Sequence, residues 1–133
     1  MNRKRLLLTI VVAFVVVFAV DFIYHGILLK GIYNETASLW RSELAMRSMM
    51  QWMLLGQALL AVMYVLIFRK GYEGKGVAEG VRFGLYLGAF MAAPNFGWYT
   101  VLPIPFTLAL LWILGCFIQA IAVGVATSFI YRP

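Results

Sequence analysis

Between Leu6 and Leu29 the chain runs LLLTIVVAFVVVFAVDFIYHGILL, 24 residues in which only Thr9, Asp21, Tyr24 and His25 are polar. At about 1.5 Å per residue, a helix of this length crosses a hydrocarbon core of about 30 Å with room to tilt. Asp21 and His25 stand four residues apart and share a helical face. A carboxylate in hydrocarbon costs roughly 3 kcal/mol or more unless it meets a partner or water. The run therefore reads as a membrane-spanning helix whose Asp21 face is turned toward protein.

Only 12% of the 133 residues are charged and 64% are hydrophobic, whereas a soluble domain carries about 25% charge. Residues 1–133 thus read as one integral membrane domain. The lone Cys116 lies inside an apolar run, which excludes a disulfide framework or a thiolate cluster. A net charge of +6 raises nucleic acid as a partner. The basic residues stand at the ends of apolar runs, however, where they set orientation and meet anionic headgroups, so the expected partner is the lipid bilayer. Asn2-Arg3-Lys4-Arg5 precedes the first run as it would in a signal peptide. The run exceeds a signal core of about 7–15 residues, and Asp21 to Lys30 offers no small-residue cleavage site, so it is read as a retained span. The sequon Asn34-Glu35-Thr36 is read as chance.

Three further apolar runs follow at about 50–68, 78–101 and 105–130, the first of them stopped by Arg69-Lys70 and separated from the next by the turn GYEGKG. The fold class is all-α, an integral membrane four-helix bundle with up-down-up-down topology. Arg3, Lys4, Arg5, Arg69, Lys70, Lys75, Arg82 and Arg132 fall on one side, and Lys30, Arg41 and Arg47 on the other. The positive-inside bias then places both termini in the cytoplasm of a bacterial inner membrane. The outer connector has no Gly or Pro between Asn34 and Met53. With Asn34 as N-cap and Glu43 paired to Arg47, an additional helix is expected there. It either lies among the headgroups with Trp40 as anchor or extends the second span.

Gly80, Gly84 and Gly88 form a small-residue ridge on the third span, and Ala120, Gly124 and Ser128 repeat it on the fourth. Such ridges let helix backbones approach closely, either against each other within one chain or at a dimer seam. Pro94 is expected to kink the third span and free a carbonyl, while Pro103 and Pro105 mark the start of the fourth helix.

Counting about 1.5 Å per residue from the outer end of each span puts Asp21, Gln57 and Asn95 at a common depth of roughly 10 Å, with His25 and Tyr99 above them. This predicts a polar pocket open to the outer side. The bland alternative is that these side chains only bond helix to helix. Asp21 with His25 would also make a two-step proton path or a cation site. Gln119, deeper in the fourth span, reads as a packing hydrogen bond. Met46, Met49, Met50 and Met53 with His25 would suit Cu(I), but thioethers at helical spacing fill apolar gaps equally well, and no metal or cofactor is expected. Glu79 and Arg82, three residues apart, are expected to pair. GYEGKG lacks the strand and the full pattern of a phosphate loop, and no enzyme signature is present.

Asp21 and His25, Gly71-Tyr72-Glu73-Gly74-Lys75-Gly76, Arg82-Phe83-Gly84, Leu102-Pro103-Ile104-Pro105 and Tyr131-Arg132-Pro133 together carry a resemblance over nearly the whole chain. With them the sequence resembles a group of small four-span bacterial membrane proteins classed as a domain of unknown function. That resemblance implies an architecture and no activity. The expected role is non-enzymatic, a small homo-oligomeric or accessory subunit of a larger membrane complex, with a proton- or cation-coupled transporter or channel using Asp21 and His25 as the alternative.

Overall fold

A computed structural model describes residues 2–131; Arg132 and Pro133 lie outside the described residues. These hold six α-helices and no strand: α1 Arg3–Ile23, α2 Lys30–Glu35, α3 Glu43–Ser48, α4 Met50–Lys70, α5 Val77–Val101 and α6 Phe106–Ile130. A single π-helical turn, Tyr24–Leu28, continues α1, and a 3-10 turn, Ala37–Leu39, follows α2. Among the described residues three helical segments, Arg3–Leu28, Met50–Lys70 and Phe106–Ile130, are long and apolar enough to cross a membrane. The 25-residue α5 is not one of them. Glu79, Arg82, Pro94, Asn95 and its glycines make it less apolar.

The side chains are sorted by size as well as polarity. On α1, Thr9, Ala13 and Val17 are buried at four-residue spacing. Val11, Val15, Phe18 and Phe22 on the same helix are exposed. On α6, Gly115, Gln119, Ala120, Val123, Gly124, Thr127 and Ser128 face inward, while Leu110, Leu114 and Ile118 face out. Leu108 of α6 and Tyr64 and Phe68 of α4 are the large side chains buried among them. The predominance of small and polar groups inside α1 and α6, with large apolar groups outside, matches helices solvated by lipid, which associate through close backbone packing and polar contacts.

The contacts fix the helix directions. Gly80 lies against Gly124, Gly84 against Ala120 and Ile121, and Gly88 against Phe117, so α5 and α6 run antiparallel. Asp21 meets Gln119 while Tyr24 meets Leu111, which sets α1 antiparallel to α6. Tyr64 reaches Met91 and Phe68 packs on Phe83, giving the same relation between α4 and α5. The backbones of α5 and α6 touch: a Cβ built on Gly80 would sit 2.5 Å from Gly124 O, and one on Gly88 would sit 2.8 Å from the Phe117 ring. By contrast α4 meets α5 chiefly through long side chains. Half of the core is an apolar cluster of Ala13, Val17, Ala61, Tyr64, Val65, Ala120 and Val123; the other half gathers Tyr24, Leu29, Ile104, Leu108 and Ala109.

The connector differs from its expected form. Asn34 lies inside α2 rather than capping a longer helix, the chain breaks at Thr36, and Ser42 caps α3 by accepting from Ala45 N. Tertiary contacts override the local helix signal. Thr36 Oγ1 donates back to Ile32 O at 2.8 Å and accepts from Trp40 Nε1 at 2.9 Å, and Trp40 packs on Tyr33 and Trp112. The Glu43–Arg47 pair forms at 2.7 Å on an exposed face. Met46, Met49, Met50 and Met53 are all exposed.

The turn between α4 and α5 is held by an acid at the start of α5. Gly74 and Gly76 have φ of 76° and 66°, a conformation that favours glycine. Glu79, 4% exposed, accepts from Glu73 N at 2.7 Å and Lys75 N at 2.8 Å. It is therefore not the partner of Arg82. Arg82 instead pairs with Glu73 at 2.7 Å, because the turn folds Glu73 back over the first turns of α5, and Lys75 also pairs with Glu73. These hydrogen bonds, Lys75 first and then Arg82, hold the Glu73 carboxyl below the usual carboxylate range.

Candidate functional site

Asp21 is bound on both oxygens. Gln57 Nε2 donates to Oδ2 at 2.8 Å, and Gln119 Nε2 donates to Oδ1 at 2.5 Å, so α1, α4 and α6 are joined at one carboxyl. Gln119 Oε1 in turn lies 3.2 Å from the Tyr64 hydroxyl, which also stands against Met91 Sδ. Interhelical hydrogen bonds of this kind contribute about 0.6 kcal/mol each on average in membrane proteins. Three in one connected cluster fix the register of the helices that make them.

Asp21 and Gln119 form part of the wall of a cavity of about 430 Å3, whose other lining residues include His25, Tyr33, Asn95, Trp112 and Cys116. That volume lies within the range of about 300–1,000 Å3 common for small-molecule sites. Asn95 Nδ2 donates to Met91 O at 3.2 Å and Ala92 O at 3.3 Å, beside Pro94, and approaches Cys116 Sγ at 3.5 Å, leaving Oδ1 as its remaining acceptor. His25 Nδ1 lies 2.7 Å from Tyr33 Oη, which accepts from Trp112 Nε1 at 2.8 Å. Tyr24 donates to Leu111 O at 2.6 Å, and its ring fills the space left by Gly115, where a Cβ would lie 2.6 Å from it. The π-helical turn thus places Tyr24 on α6 and His25 under Tyr33. π turns inserted in helices are frequent at functional sites.

The structure brings together Asp21, His25 and Asn95 on one cavity, with Gln57 bonded to Asp21 from outside its lining. Asp21 and His25 share the cavity but bond to different partners, Gln amides for one and Tyr33 for the other. Tyr99 stands apart, 42% exposed and packed edge-on against Phe106. Gln119 is the second amide on Asp21, and depth counting alone misses it. It lies roughly 20 Å below the start of α6 at about 1.5 Å per residue, whereas Asp21 counts to only roughly 12 Å below Leu29. The helix ends are not level: α6 begins beside Leu29 and Ile104, which pack with Leu108 and with Ile32 and Tyr33 of the connector. The signal available in the sequence was a lone amide on the inward face of α6 next to the ridge residue Ala120.

Among the described residues no three His, Cys, Asp or Glu side chains group as they would around a metal ion. Comparison with protein families, curated proteins and solved structures finds no match to this chain.

Proposed function

We propose that this chain is a non-enzymatic four-span membrane protein of a bacterial inner membrane whose central cavity binds a small polar molecule from the outer side. α5 is the fourth span, covered along its glycine ridge by α6, so that it needs fewer apolar residues than its neighbours. The protein works as a homo-oligomer or as an accessory subunit of a larger membrane complex. The antiparallel helix order puts Arg3, Lys4, Arg5, Arg69, Lys70, Lys75 and Arg82 at one end and Lys30, Arg41 and Arg47 at the other, which supports cytoplasmic termini.

The observation that carries this reading is the Asp21 carboxyl, held by two amides on a cavity wall above an apolar plug. Ala13, Val17, Ala61, Tyr64, Val65, Ala120 and Val123 are at most 1% exposed. A floor sealed this way suits a pocket better than a conducting path. The shared position of Asp21 and His25 on the cavity favours a proton- or cation-coupled transporter as the second reading.

Two experiments test this. In a Cys116→Ser background, Ser42→Cys and Val101→Cys are expected to react with an impermeant maleimide from outside intact cells, and Lys75→Cys only after permeabilisation. Labelling of Lys75→Cys from the same side as either of the others removes the four-span topology. Purified protein in liposomes is expected to show no proton-driven flux; a flux abolished by Asp21→Asn would establish the transporter instead.

A further inference from the structure

We infer that the cavity takes a small organic cation, a primary ammonium with an apolar body, rather than a metal ion or an anion. The inference rests on the pocket reading above and adds its ligand class. Asp21 is the only acid among the lining residues, and neither Lys nor Arg lines the cavity. The two amides occupy one lone-pair position on each Asp21 oxygen, and a carboxylate has about four, so acceptors remain for N–H donors. The neighbouring lining residues favour the same class. Asn95 has its amide hydrogens engaged and keeps an acceptor, Met91 and Cys116 bring sulfur, and Tyr33 and Trp112 bring aromatic rings of the kind that attract ammonium groups. Among the described residues no three His, Cys, Asp or Glu side chains gather as they would around a tightly held transition metal, and a single carboxylate gives a hard cation little charge to bind to. An anion would meet Asp21 without a compensating Lys or Arg. At about 430 Å3 the space suits a molecule rather than an ion.

The probe is 2-phenylethylammonium, titrated calorimetrically into the purified full-length protein at neutral pH, with 2-phenylethanol as the neutral control of similar shape. The ammonium is expected to bind at least tenfold more tightly than the alcohol. Asp21→Asn is expected to abolish that preference. Leu60→Trp, which fills the cavity and leaves Asp21 in place, is expected to weaken binding of the ammonium at least tenfold; both variants are checked for native elution by gel filtration. Equal binding of amine and alcohol, both lost in Leu60→Trp, overturns the cation assignment and leaves the pocket. Absence of binding by either probe overturns both. The ammonium has two natural sources, a free amine or an aminophospholipid headgroup. In phosphatidylglycerol nanodiscs, weaker amine binding on adding phosphatidylethanolamine identifies the lipid, and unchanged binding identifies the free amine.

Discussion

Gln119 and Asp21, 98 residues apart in sequence, meet at 2.5 Å and join the last helix to the first. Because the other end of the same amide faces Tyr64, the loss of Gln119 strips Asp21 of one of its two amide donors and leaves the Tyr64 hydroxyl only the Met91 sulfur. Gln119→Leu is therefore expected to destabilise the protein by about 1–3 kcal/mol, the cost of buried groups stripped of hydrogen bonds. Thermal unfolding in detergent checks this. Gln119→Leu combined with Asp21→Leu should recover part of the loss, since both partners of the bond are then apolar.

The glycine ridge gives a positional prediction. Gly80→Ala and Gly84→Ala place a methyl group into the backbone of α6 and are expected to cost about 1–3 kcal/mol each through overpacking. Gly56→Ala on α4, where nothing lies within 4 Å of the new carbon, is expected to be neutral or to stabilise by up to about 1 kcal/mol. Unfolding midpoints of the three variants in the same detergent make the comparison.

Much of this was legible in the sequence because small-residue spacing and lipid solvation act locally. Gly80, Gly84 and Gly88 mark a face that only another backbone can cover, and the apolar length of residues 6–29 leaves a helix as the solution that satisfies its own hydrogen bonds in lipid. Asp21 with Gln57 follows from depth, and the two side chains meet at 2.8 Å. Asn34, Glu79 and Gln119 were not legible in the same way. Asn34 loses its capping role to the docking of Trp40 on Trp112, a contact 72 residues distant. Glu79 is drawn from Arg82 by two backbone N–H groups of a turn whose shape depends on positive φ at Gly74 and Gly76. Gln119 depends on where α6 starts relative to α1, which is set by the packing of Leu29, Ile104 and Leu108.

Glu79→Ala removes the acceptor for Glu73 N and Lys75 N in a site that is 4% exposed. Charge-assisted hydrogen bonds contribute roughly 1.5–3 kcal/mol, so the Gly71–Gly76 turn is expected to lose most of its protection against amide hydrogen exchange while α6 keeps its own. Hydrogen-exchange mass spectrometry resolves the two segments.

Glu73 gives the turn a pH dependence. Its carboxyl is held below the ordinary range by Lys75 and Arg82, so the folded turn binds its proton less readily than the unfolded chain does. The stabilisation is fully present above the ordinary carboxylate value and is lost as pH falls through the lower, folded value. The protection factor of the turn, its exchange measured against the intrinsic rate at each pH, should therefore fall on acidification below about pH 4, the ordinary range for Glu. Glu73→Gln should show the lower protection factor already at neutral pH and little further change in acid.

Where Gly80 and Gly124 bring two main chains into contact, no side chain remains that could change rotamer and let the helices slide. α5 and α6 consequently move as one beam. α4, which touches α5 chiefly through the rings of Tyr64, Phe68 and Phe83, takes its place in the bundle instead from Gln57 on Asp21 and Tyr64 on Gln119, so its register is set by α1 and α6.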